Sequence, residues 1–179
     1  MKKFCKKVAV FDLDGTIYLG NSHIEFLCRE YNTKILKSLL YRFVMHFFPN
    51  INNQIIWWLY ERKREQTQGF VLPYNDKVID LLKKKQSDGF DVVIISNAPI
   101  ELIINAAEDL RLKFIRADVG KKSLELQKYY TYNELFVCTD NKTDIDLLRI
   151  ADEAVVIAKK RDLNFFKKRI EGKCDYWER

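Results

Sequence analysis

The sequence predicts an α/β fold, a Rossmann-like doubly wound parallel sheet with a helical cap inserted after the first strand. Three observations carry that expectation. Short apolar, β-branched runs of strand length alternate with longer stretches whose apolar residues recur at helical spacing. That alternation builds a parallel sheet covered on both faces through right-handed crossovers. The strongest runs end in acidic or hydroxyl residues, at the strand ends where such sheets bind ligands. One long segment between the first two strong runs breaks the rhythm and holds no good strand.

The strand candidates are Lys7–Phe11, Phe90–Ile95 and Leu135–Cys138, with Ala154–Ala158 resembling them and Lys113–Val119 weaker. Asn75–Lys85 has a helical stripe at Val78, Ile79 and Leu82, lysines at its end, and Gly89 where the chain reverses. Pro99 suits the first turn of a helix carrying Leu102, Ile103, Ala106, Ala107 and Leu110 on one face. The interrupting segment reads as two or three helices. Lys34–Phe48 is dense in apolar and aromatic residues (Ile35, Leu36, Leu39, Leu40, Phe43, Val44, Phe47, Phe48), Pro49 ends it, and Ile51–Tyr60 carries Trp57 and Trp58. The expected division is therefore a core of residues 1–17 and 73–179 and a helical cap of residues 18–72.

Composition bounds the rest. With 179 residues, 47% apolar and 31% charged, the chain sits near globular averages and excludes disordered, collagenous or coiled-coil classes. A chain of this length buries roughly 70% of its unfolded surface, enough for a true core. Lysine and arginine (31) exceed aspartate and glutamate (25), and the net charge of +6 favours anionic partners. The cysteines at 5, 28, 138 and 174 have no CxxC spacing and no histidine cluster, so neither a zinc site nor a disulfide framework is expected. Two aspartates interrupt the apolar run near the N-terminus, where a signal peptide would need an unbroken one. No uncharged run is long enough to span a membrane. A cytoplasmic protein is expected.

The strand ends carry the chemistry. Asp12-Leu13-Asp14-Gly15-Thr16 follows the first strand, Ser96-Asn97 the second, and Thr139-Asp140-Asn141-Lys142-Thr143-Asp144 the third, while Lys121-Lys122 opens another helix. Carboxylates, a hydroxyl and a lysine converging on one edge suit a hard cation and an anionic group together. A phosphomonoester is already negative, so a carboxylate attacks it only when the repulsion is neutralised. A divalent ion does this, and a lysine and main-chain N–H groups hold the phosphoryl oxygens. A second carboxylate two residues away can protonate the leaving oxygen and then deprotonate water.

These motifs resemble the haloacid dehalogenase-like (HAD) hydrolase superfamily. DLDGT matches its first motif DxDGT, VVIIS its second ending at Ser96, Lys122 (or Lys121 as the alternate) its third, and TDNKTDIDLL its fourth, with Thr139 in the usual glycine place. The resemblance implies Asp12 as nucleophile and Asp14 as general acid/base. It implies a Mg2+ site drawing on Asp12, Asp14 (through its main-chain carbonyl), Asp140 and Asp144, the last ordering a metal-bound water or Lys122. Thr16, Ser96, Asn97 and Lys122 would serve the phosphate, Thr16 by supporting the turn. The acid at Asp14 points to phosphoryl transfer, because members that cleave carbon–halogen bonds lack it. The cap position and the words SNAP resemble the phosphoserine-phosphatase-like branch. Only 26 positions separate Ser96 from Lys122, little room for the hairpin many of its members carry there.

The expected function is Mg2+-dependent hydrolysis of a phosphomonoester, its substrate a small metabolite, a sugar phosphate or a lipid-linked phosphate. A phosphotransferase or mutase could use the same site, and a non-catalytic scaffold could act through the basic, aromatic cap. Asp146 and Asp152 read as solvated helix positions, His23 and His46 as structural or surface residues, and Cys138 as core packing. The aromatic stripe of the cap is expected to form the cap's own core and its seam against the sheet. The alternative is a pocket or membrane-surface contact supported by Lys34, Lys37, Arg42 and His46. No nucleic-acid module is recognisable.

Overall fold

The computed structural model describes residues 2–170 and 173–178. Strand β1 (Lys3–Phe11) leads into a helical stretch of α1 (Ser22–Glu30), α2 (Leu39–His46) and α3 (Pro49–Glu61). Then follow α4 (Asp76–Ser87), β2 (Asp91–Ser96), α5 (Ile100–Leu110), β3 (Lys113–Arg116), α6 (Lys122–Tyr129) and β4 (Tyr130–Thr139). The chain closes with α7 (Ile145–Leu148), β5 (Glu153–Ala158), α8 (Leu163–Lys167) and β6 (Lys173–Glu178). The six strands form one sheet in the order β3-β2-β1-β4-β5-β6, with every pairing parallel. Among the described residues no helix is long and apolar enough to cross a membrane.

Both faces of the sheet are covered, which is why its central strands are apolar throughout rather than alternating. Ala9, Phe11, Ile94, Phe136 and Cys138 face one side and pack with Val78 and Leu82 of α4 and Ile103 and Ala106 of α5. Val8, Val10, Val93, Leu135 and Val137 face the other and pack with Leu126, Leu147, Leu148 and Phe166. β1 and β4 are longer than the apolar runs suggested: they pair from Lys3 and Tyr130 onward, and only their second halves are buried. β3 stops at Arg116, short of the expected Val119. Strand β6, with the polar sequence KCDYWE, escapes an apolar-run criterion because it lies at the sheet edge and pairs only with β5.

The helical stretch departs from expectation in two places. The predicted single helix Lys34–Phe48 is split into a 3-10 turn, Ile35–Lys37, and α2. Ser38 causes the break: its backbone is extended (φ −66°, ψ 146°) and its hydroxyl accepts the Tyr41 N–H as an N-cap. Pro49 then opens α3 at its first turn, where its missing N–H costs nothing. Phe26, Leu27, Leu36, Ile56, Tyr60 and Phe70 form a small core joined to the rest of the chain through Leu102 of α5. The Tyr60 hydroxyl donates to Glu101 (2.8 Å), which also pairs with Arg64. The expected burial of the whole aromatic stripe is not met. Leu39, Leu40, Phe43, Phe47, Phe48, Trp57 and Trp58 are exposed, because they point away from both this small core and the sheet.

His23 on α1 lies edge-on to Tyr60, with ring centroids 4.8 Å apart, and among the described residues its buried Nε2 has no hydrogen-bond partner. Burial pulls its pKa from 6.5 down to about 4. A depressed histidine pKa contributes stability that is present above the unfolded value and lost as pH falls through the folded one. The thermal midpoint of the wild type should therefore drop relative to His23→Phe as pH falls from 6.5 to about 4. Parallel melting curves of the two proteins across that window check this.

Candidate active site

The chain runs from β1 outward to β2 and β3, then returns to place β4 on the other flank of β1. The crevice at such a switch point, beyond the strand carboxyl ends, is where open α/β sheets bind ligands. Phe11 is in register with Cys138, and the Asp12 N–H donates to the Cys138 carbonyl (2.9 Å). Asp12 and the Thr139–Asp140 pair therefore leave the sheet side by side. The turn after Asp12 needs Gly15 in the left-handed region (φ +76°), where a side chain is strained. A Cβ there would also stand 2.2 Å from Oδ2 of Asp140. Thr16 locks the same partner, its hydroxyl accepting the Asp140 N–H at 2.9 Å and donating to Oδ1 at 3.5 Å.

Lys122 is buried beneath this turn. Its ammonium donates to Oδ1 of Asp12 (2.6 Å) and Oδ2 of Asp144 (2.7 Å), and the Thr139 hydroxyl donates to that same Asp144 oxygen (2.7 Å). Lys121, the alternate in the sequence, points outward with its ammonium 4.0 Å from Asp118. One buried cation is thus shared between two carboxylates, with Asp14 and Asp140 beside them. Burial shows first in the acids. Burial pushes the Asp12 carboxyl up, Lys122 pulls it down, and Asp140 pushes it up again. Asp144 is pushed up to about 6 by burial and by Asp12, against the pull of Lys122. Asp14 is pushed up to about 7, by burial first, with the Ser22 N–H opposing and Asp12 and Asp140 adding.

The Asp14 carboxylate is held by the main-chain N–H of Ser22 (2.8 Å), so the first residue of α1 fixes its direction. A cavity of about 480 Å3 opens above the acids, lined among others by Asp12, Asp14, Asn97, Asp140, Lys159 and Arg161. Ser96 lies fully buried behind it, its hydroxyl accepting the Ala98 N–H (3.2 Å). Lys159 and Arg161 were not singled out in the sequence. The rule that found the other residues points to them too, since they follow the carboxyl end of β5.

The donor set fits Mg2+. Every candidate ligand is an oxygen, and two of them, on Asp12 and Asp140, belong to carboxylates facing one cavity. Mg2+ keeps several waters and takes one or two carboxylates plus substrate phosphate rather than an all-protein cage. Among the described residues no three Asp, Glu, His or Cys side chains gather into a group that could hold a metal ion. In the expected set Asp14 takes part through its main-chain carbonyl and Asp144 by ordering a metal-bound water or Lys122. The Asp14 side chain is turned to Ser22, and the Asp144 side chain holds Lys122 and Thr139.

Replacing Lys122 by methionine strands two buried carboxylates, a change that costs about 3–5 kcal/mol. Urea unfolding near neutral pH should show a loss of that order, shrinking as pH falls and the stranded acids protonate.

No family model matches the sequence, and no curated protein matches it. Solved structures do match. A Bordetella pertussis Tohama I protein of unknown function superposes with a TM-score of 0.66 at 10% identity, over 96% of this chain and 98% of that one. A phosphoserine phosphohydrolase-like protein from Francisella tularensis subsp. tularensis SCHU S4 gives 0.61 at 14% identity, over 97% and 94%. A phosphoserine phosphatase structure representing a phospho-aspartyl intermediate analogue gives 0.59 at 15% identity, over 96% and 93%. With a strand order that places DLDGT and TDNKTD at one switch point, the chain has the fold of these phosphoserine phosphatase-like structures.

Proposed function

We propose that the chain is a Mg2+-dependent phosphatase that hydrolyses a phosphomonoester through a phosphorylated Asp12. The observation that carries this reading is the buried Asp12–Lys122–Asp144 arrangement at the floor of an acid-lined cavity. Lys122 fixes Oδ1 of Asp12, which orients the carboxylate and leaves its other oxygen to attack phosphorus. As the Asp12–phosphorus bond forms, the bond to the ester oxygen breaks. Asp14 gives its proton to that leaving oxygen, a role favoured by a carboxyl raised to about 7. Water then attacks the phosphorus of the aspartyl-phosphate and loses its proton to Asp14, and the Asp12 carboxylate departs with inorganic phosphate released. The hydrogen bond from Ser22 holds Asp14 in one orientation for both proton transfers.

Asp12 and Asp140, with the main-chain oxygen of Asp14, would hold Mg2+, which when bound offsets the repulsion between the carboxylate and the phosphate. Lys122 adds charge from below, while Lys159 and Arg161 at the rim favour entry of an anion. Asp144 is a positioning residue: it keeps the lysine from turning wholly onto Asp12. The phosphoserine phosphatase structure with a phospho-aspartyl intermediate analogue shares this fold, which supports the covalent route without naming a substrate.

Asp12→Asn abolishes hydrolysis of p-nitrophenyl phosphate, and protein acid-quenched during turnover carries an alkali-labile phosphate label that this variant lacks. EDTA removes activity and Mg2+ restores it. Thr16→Val deletes the hydroxyl that locks Asp140, and loss of such an outer partner typically weakens metal affinity about 10–100-fold. The Mg2+ concentration for half-maximal activity should rise accordingly while the melting temperature of the metal-free protein changes little.

A further inference from the structure

The helices between β1 and α4 leave a face that the phosphatase reading does not use. On α2, Tyr41 and Met45 turn inward, while Leu39, Leu40, Phe43 and Val44, with Phe47 just beyond, lie on the other side. Leu39 is 82%, Phe43 66% and Phe47 63% exposed. Phe48, Ile51, Trp57 and Trp58 extend the exposed surface onto α3. The Phe43 and Phe47 rings touch (centroids 5.4 Å apart), and exposed apolar side chains clustered in this way mark an interaction site.

The charges around the face narrow what covers it. From Lys34 to Tyr60 the chain carries Lys34, Lys37 and Arg42 and no aspartate or glutamate. Lys37 is held by Glu25, whereas Lys34 and Arg42 are exposed, and Arg62 stacks over the Trp58 ring (4.8 Å). A second cavity of about 680 Å3 runs beneath α2, lined by Ile24, Leu36, Arg42, Met45 and Ile56, and it shares Asn21 and Lys159 with the acid cavity. Apolar and aromatic side chains rimmed by cations match an anionic lipid surface, where rings and aliphatic groups enter the interface and Lys and Arg meet headgroups. A two-fold pairing with a second copy would set the same cations against themselves.

We propose that the exposed face of α2 and the start of α3 seats the protein on an anionic lipid bilayer. The inference concerns adsorption alone and stands apart from the hydrolytic reading. Its test uses the full chain with phosphatidylcholine vesicles, with and without phosphatidylglycerol. Wild-type protein should co-sediment with the phosphatidylglycerol vesicles at low salt, less so at high salt, with a blue shift in tryptophan emission. The combined variant Leu39→Ser, Phe43→Ser and Phe47→Ser should bind about tenfold or more weakly. It should still melt like wild type and hydrolyse p-nitrophenyl phosphate at the wild-type rate, while Asp12→Asn should bind vesicles undiminished. Failure of the wild type to co-sediment at low salt overturns the proposal. So does undiminished binding by the combined variant, or a wild-type dimer in solution that this variant dissolves.

Discussion

A lysine ammonium with no water around it must be surrounded by acceptors, and Lys122 has two carboxylates, Asp12 and Asp144, within 2.7 Å. That triad ties the start of α6 to the ends of β1 and β4, the two strands between which the sheet changes direction. Burying an ion pair is costly, and such pairs persist where geometry and further hydrogen bonds compensate. Here Thr139 supplies one of those bonds. Burial first, and the acids' mutual repulsion after it, raise the carboxyls of Asp12, Asp14 and Asp144 against the pull of Lys122 and of the Ser22 N–H. The carboxylates open to a cavity, and that opening is what the proposed function assigns to a small hard cation and an anionic substrate together.

The inserted helices reach this site through main chain rather than through charge. Asn21 caps α1 by accepting the Ile24 N–H, and the next residue, Ser22, donates its own N–H to Asp14. The direction of the Asp14 carboxylate is therefore set by the seating of α1, which Phe26 and Leu27 anchor in the small core shared with α3 and α5. In this way the packing of Tyr60 and Leu102 bears on Asp14, the acid that the proposed mechanism assigns to proton transfer.

Much of this was readable from residues alone, for physical reasons. Asp12, Asp14 and Asp140 follow strands whose apolar runs are unbroken because both sheet faces are covered, so their place at the carboxyl edge was legible. The choice between Lys121 and Lys122 was not, since it depends on the rotation with which α6 starts. Lys159 and Arg161 went unnoticed because nothing in a KKRD string distinguishes a cavity rim from an ordinary solvated turn. Strand β6 was missed because an edge strand can be polar. Periodicity identified the apolar side chains of α2 and α3 but gave no sign of how many would find a partner within the chain.

The central claim of the proposed function is that Asp12 and Asp140, which line one cavity, hold one divalent ion between them. Calorimetric titration of Mg2+ into EDTA-stripped protein addresses it without reliance on turnover. The account predicts one ion bound per chain, with protons released as the raised carboxyls ionise, and affinity sharply reduced in Asp140→Asn. A titration that shows no saturable binding at millimolar Mg2+, or binding indifferent to Asp140→Asn, would contradict it.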